Sequence, residues 1–138
     1  MKKLYFFDTN IVIRYLTNDD EKKAQKCLEL FRKAERKEIL LTTSESVIAE
    51  IVYILSSRSL YNLSREEVRK RLYPILNLKG LKLKNKNTYM EALDVYVSKK
   101  IDFEDALTFS LMKKEGIEDI YSYDRDFNKF SEITRKEP

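Results

Sequence analysis

The chain has 138 residues, 43% hydrophobic and 36% charged, which is enough apolar material for one packed domain and too much for a disordered tail. Lys and Arg number 27 against 23 Asp and Glu, a net charge of +4 that leans toward polyanions without identifying one. The absence of His excludes a Ser-His-Asp triad, a Cys-His pair and a His-ligated zinc, and the single Cys27 excludes an internal disulfide and a cysteine metal cluster.

With 2 Gly and 2 Pro, helices are expected to dominate. Lys3 to Phe7 is a short aromatic run that reads as a buried strand stopping at Asp8, far short of a signal-peptide core. No other window is apolar enough to span a membrane, and a lone cysteine suits a reducing compartment, so the expected location is cytoplasmic. Asn10 to Leu16 predicts a short helix, and the cap-forming cluster Asn18, Asp19, Asp20 and Glu21 precedes an amphipathic helix to about Lys37. Glu38 to Thr42 contains a second short buried strand, Ile39 to Leu41. Ser44 then opens a helix through Val47, Ile48, Ile51, Val52 and Leu55. Ser64 and Glu67 form a capping-box pattern, and Pro74 is expected to kink or end the helix that follows.

Gly80 punctuates the chain before a third short strand, Leu81 to Leu83. Thr88 to Lys99 and Phe103 to Glu115 have helical periodicity, and Gly116 suits the end of the second. Ile120 to Tyr123 reads as a fourth strand and Ser131 to Thr134 as a fifth. Short apolar strands separated by helices predict an α/β fold: one domain over 1–138, a short parallel sheet with helices on both faces. Ligands in such folds bind beyond the carboxyl ends of the strands, so acids at those ends are considered together.

Glu50 is the only charge between Ser46 and Leu55. On a helix it shares a face with Val47 and Ile54, bordering the core stripe, where a glutamate either reaches solvent or serves a site. Asp8 follows the first strand and also suits a helix cap. Asp102 and Asp105 open a helix, with capping the expected role for Asp102 and a direction along the buried boundary for Asp105. Asp124 and Asp126 follow the fourth strand, where one Asp is an ordinary turn residue and two raise a question.

Asp8, Glu50, Asp105 and Asp124 thus follow two strands or sit on two helices, and convergence at one sheet edge would gather four anions. Oxygen ligands without His or a Cys cluster favour Mg²⁺ or Mn²⁺ over zinc, and such a site suits phosphodiester hydrolysis. Without these four acids, 27 basic residues face 19 acidic ones, a basic surface around an acidic pocket that suits a nuclease. Asp8, Asp105 and Asp124 are the expected metal ligands, with Glu50 completing the site or positioning the attacking water. Arg14, Lys79, Lys82, Lys84, Lys86 and Arg125 are candidate contacts to a nucleic-acid backbone, though solvated surface charge is the more ordinary account of each.

Four segments carry a resemblance to a known family: Phe6 to Asn10, Ala49 to Val52, Asp102 to Ala106 and Ser122 to Phe127. Taken in order, they make the chain similar to the PIN-domain ribonucleases, and most similar to the VapC-type toxins of toxin–antitoxin pairs, over nearly its whole length. The resemblance implies a metal-dependent endoribonuclease with Asp8, Glu50, Asp105 and Asp124 as its acidic quartet and with Asn10, Ser122 and Asp102 in support. Ser122 stands where relatives often have Thr and keeps the hydroxyl. The resemblance also implies a homodimer inhibited by a small antitoxin protein. An RNA-processing nuclease without an antitoxin, and a noncatalytic RNA-binding or scaffold module, are the alternatives. Asn10 stands where a haloacid-dehalogenase-type phosphatase has its second Asp, and the paired acids of a receiver domain are missing from their place after the first strand.

Overall fold

The computed structural model describes residues 2–138. The chain is an α/β protein of six helices and short parallel strands, and it divides into two compact units, residues 1–84 and 85–138. Among the described residues no helix is long and apolar enough to cross a membrane.

In the first unit, strand β1 (Leu4–Phe6) runs parallel to β2 (Leu40–Thr42), with Tyr5 opposite Leu41. Helices α1 (Thr9–Thr17) and α2 (Glu21–Glu35) form the crossover between them. Asp20 caps α2 by accepting from the Lys23 amide at 3.1 Å. Phe31 of α2 packs edge-on against Phe7 and Tyr15, fastening the crossover to the end of β1. Helix α3 (Glu45–Ser56) starts at Ser44, whose hydroxyl accepts from the Val47 amide, and buries Ile48, Ile51, Val52 and Leu55. Helix α4 (Arg65–Leu76) starts at Ser64, which accepts from the Glu67 amide as the capping pattern predicts. Caps of this kind contribute about 1 kcal/mol each.

Several expectations change here. The β1 side chains are exposed rather than buried, Phe6 at 61%: among the described residues of this unit β1 pairs only with β2, and it borders an open cleft of about 560 Å³ that also touches Asp8, Ile11 and Leu30. Pro74 lies inside α4, which continues two residues beyond it, so the lost amide falls in the last turn where interruption costs least. The strand expected at Leu81 to Leu83 is a single bridge between Leu81 and Leu41. Gly80 explains the approach: a Cβ there would lie 2.4 Å from the Ala34 carbonyl oxygen and 2.7 Å from that of Ile39. Only glycine lets the chain pass close enough for its carbonyl to accept from the Leu41 amide.

In the second unit, α5 (Lys86–Lys99) packs on α6 (Phe103–Glu115) around the fully buried Ala92, Leu93 and Ala106. Gly116 ends α6 in the left-handed conformation, as expected. Strand β3 (Asp119–Tyr121) pairs in parallel with β4 (Thr134–Lys136). The fifth strand therefore lies later than Ser131 to Thr134. Phe130 and Ile133 are core anchors before the strand, and Phe130 stacks on Phe109 at 3.8 Å. The true strand is polar: Arg135 donates to the Ser122 carbonyl at 2.9 Å and pairs with Glu137 at 2.7 Å. The four strands thus form two separate two-stranded parallel ladders, one in each unit.

Candidate metal centre

In the first unit, the two strands lead directly into α1 and α3. The Thr43 hydroxyl, buried just after β2, donates to the Phe7 carbonyl at 2.9 Å and ties the exits of the two strands together. Asp8 follows at once. It is exposed and caps α1, its Oδ1 accepting from the Asn10 amide at 3.1 Å, so Asn10 serves here through its backbone. Glu50 lies in the second turn of α3, exposed between half-buried Val47 and Ile54, and its side chain has no hydrogen-bond or ion-pair partner among the described residues. A glutamate at the edge of an apolar stripe gains nothing there structurally, which leaves its carboxylate free for a ligand.

In the second unit, carboxylates do converge. Asp105, in the first turn of α6, has an oxygen within 4.8 Å of oxygens of Asp124 and Asp126, which flank the start of the 3₁₀ turn Arg125–Lys129. The segment after β3 is held by local bonds. The Ser122 hydroxyl accepts from the Asp124 amide at 3.0 Å, and Asp124 Oδ1 accepts from the Asp126 amide at 2.9 Å. Ser122 also donates its own amide to the Lys136 carbonyl, so the acidic turn is anchored to β4. Lys129 approaches Asp126 at 3.3 Å and offsets part of the negative charge.

Crowding perturbs Asp105. Burial first, then a hydrogen bond to Asp124, then repulsion from Asp124, Asp102 and Asp126, push its carboxyl from the ordinary 3.8 up to about 6. All donors in the cluster are carboxylate oxygens, a set that fits a hard divalent cation such as Mg²⁺ or Mn²⁺ and relieves the same repulsion.

Two expectations need correction. Asp102 occupies the N-cap position of α6, but its side chain makes no capping bond, and its charge acts on Asp105 instead. Asp126, outside the expected quartet, belongs to the cluster; the signal was its spacing two residues beyond Asp124 on a turn.

The basic candidates scatter. Arg14 is half-buried on α1 near Cys27, Lys82 and Lys84 are exposed after Gly80, and Arg125 is exposed beside Asp124. Lys79 pairs with Glu35, at 4.0 Å between charges, and that ordinary surface role accounts for it.

A family model described as "PIN domain" matches residues 5–133. The chain is 30% identical over 122 residues to a protein of Aquifex aeolicus (strain VF5) named "VapC ribonuclease", covering 88% of each. It is also similar, at 20% identity, 95% coverage of this chain and 98% of the other, with a TM-score of 0.38, to a solved structure titled as VapC20 of Mycobacterium tuberculosis, a sarcin-ricin loop cleaving toxin.

Proposed function

Because the chain belongs to the PIN domain family, we propose that it is a divalent-metal-dependent endoribonuclease and the toxin of a VapBC-type toxin–antitoxin pair. The observation that carries this reading is the Asp105, Asp124 and Asp126 cluster, with the Asp105 carboxyl pushed up to about 6. Similarity to a protein named "VapC ribonuclease" supports the RNA substrate, and the span of the family match, across both units, supports a single functional domain over 1–138.

Asp105 and Asp124 would hold the cation, with Asp126 beside them, and Asp8 would be a further ligand in this reading. When bound, Mg²⁺ or Mn²⁺ supplies Lewis-acid stabilisation of the charge that develops on the scissile phosphodiester. Glu50, exposed and without a partner among the described residues, would orient the attacking water and accept its proton. Ser122 fixes the turn that carries Asp124, and Asn10 fixes Asp8 through its amide. Arg14, Lys82, Lys84 and Arg125 contact RNA phosphates. A homodimer, a small inhibitory antitoxin and a cytoplasmic location complete the proposal.

The test is cleavage of a cellular RNA pool by purified protein with Mn²⁺, Mg²⁺ or EDTA, run beside Asp105→Asn. Metal-dependent cleavage lost in the variant supports the reading. RNA binding without cleavage by the native chain would replace it with a noncatalytic RNA-binding module.

A further inference from the structure

Strand β4 carries an arginine where a strand ordinarily buries an apolar residue. Thr134 and Lys136 are exposed, while Arg135 between them points inward, its side chain only 12% exposed. Withdrawing a guanidinium from water and fixing its long stem are both costly, and an ion pair with half-exposed Glu137 offsets little of that cost. Where the donors go explains the residue.

Nη1 donates to the Ser122 carbonyl at 2.9 Å, and Nε donates to Asn128 Oδ1 at 3.1 Å. Glu137 accepts from the same Nη1 at 2.7 Å, which helps to fix the guanidinium plane and neutralises its charge locally. Ser122 stands two residues before Asp124, and Asn128 stands two beyond Asp126. One rigid fork therefore holds both ends of the segment 122–128, and the two acids this segment gives to the cluster lie between its anchor points.

Other contacts keep the segment folded. Phe127 is buried, Phe130 stacks on Phe109 of α6, and the Ser122 amide donates to the Lys136 carbonyl. Arg135 adds a link between the two ends of the turn, which decides its curvature. That curvature matters for cation binding, because ligand distances tolerate only a few tenths of an ångström and the partners behind the ligands set them.

We propose that Arg135 is a positioning residue for the metal centre: its fork holds the turn from Ser122 to Asn128 in the shape that brings Asp124 and Asp126 to Asp105. It acts by geometry and touches neither cation nor RNA. The inference rests on the proposed metal-dependent ribonuclease, and within that reading on cation binding rather than on cleavage.

The experiment uses the full chain with Mn²⁺ alone as the probe, titrated by calorimetry, followed by RNA cleavage over a range of Mn²⁺ concentrations. Arg135→Met keeps the stem and removes every donor. Arg135→Lys keeps stem and charge but loses the fork, and Asn128→Ala cuts one arm. Each variant is measured well below its own melting temperature. The Mn²⁺ dissociation constant should rise about tenfold in Arg135→Met, as expected for a partner standing behind metal ligands. Arg135→Lys should be weakened nearly as much, since one ammonium does not span both acceptors. Asn128→Ala should lose about threefold, the effect of one hydrogen bond. The Mn²⁺ concentration for half-maximal cleavage should rise in parallel, with KM for RNA unchanged.

A merely structural arginine would lower the melting temperature and leave the Mn²⁺ dissociation constant of the folded chain as it was, and that result would overturn the proposal. Full recovery of affinity in Arg135→Lys would overturn it too, by assigning the effect to charge. Should Arg135→Met not fold, Arg135→Lys and Asn128→Ala decide the question. A native chain that binds Mn²⁺ but leaves RNA intact would overturn the ribonuclease reading alone, with the dissociation constants still deciding the role of Arg135. A native chain that binds no Mn²⁺ would overturn both.

Discussion

Asp105, in the first turn of α6, brings a carboxyl oxygen within 4.8 Å of one of Asp124, in the turn that follows β3. The crowding that pushes the Asp105 carboxyl up favours a proton there where a cation would otherwise sit, so protonation and metal binding compete for one site.

That competition sets a pH dependence. The Asp105 carboxyl ionises near 6 in the folded chain against the ordinary 3.8, so between these values the folded state holds a proton the unfolded state has released. Stability in the absence of metal therefore falls as pH rises through that window. A divalent cation displaces the proton and gains as pH passes 6. We expect the rise in melting temperature caused by Mn²⁺ to be larger at about pH 7.5 than at about pH 5 by calorimetry. Equal shifts would remove Asp105 from the ligand set.

Asp8→Asn separates capping from chemistry. Asparagine caps a helix about as well as aspartate, so the bond to the Asn10 amide survives and the melting temperature should stay within a few degrees. RNA cleavage should be lost. Asp8→Ala should lose the activity together with about 1 kcal/mol of stability in urea unfolding.

Glu50→Gln should leave stability within about 0.5 kcal/mol, because the side chain is exposed and engages no partner among the described residues. Cleavage should fall by a factor of about 100 or more, the usual contribution of a positioned base. A variant with native activity would exclude Glu50 from the mechanism.

Ser122 contributes a hydroxyl, and that is what substitution should reveal. Ser122→Ala removes the acceptor for the Asp124 amide, costing about 1 kcal/mol and loosening the turn that carries the carboxylates. Mn²⁺ affinity measured by titration should weaken in Ser122→Ala and be retained in Ser122→Thr.

Gly80→Ala tests packing rather than chemistry. The added methyl would sit 2.4 Å from the Ala34 carbonyl oxygen, so backbone must move, and overpacking of this kind costs about 1–3 kcal/mol. A lower urea midpoint is the expected result.

The helices were legible because their signals are local. Ser44, Ser64 and Asp20 cap amides three residues ahead, Gly116 takes the one left-handed glycine conformation, and apolar residues recur every three or four positions. Asp8 at the end of β1 and Glu50 in a nearly uncharged helix were equally visible, since each breaks a pattern within its own segment. Strand β4 was not, because its polar Thr134 to Lys136 run is stabilised by ladder bonds and by Arg135 reaching Ser122, neither of which leaves an apolar trace.

The amino-acid sequence by itself determined the α/β class, the order of elements and the stock of carboxylates, all set by backbone periodicity and capping over a few residues. Only the tertiary structure decided that Asp126 joins Asp105 and Asp124, that Asp102 acts by charge instead of capping, and that Lys114 takes the Asn85 cap and leaves the α5 amides free. The pairings of Asp105 with the acidic turn and of Asn85 with Lys114 join residues about 20 to 30 positions apart, and they exist because α5 and α6 bury their apolar faces together with Phe127, Phe130 and Ile133.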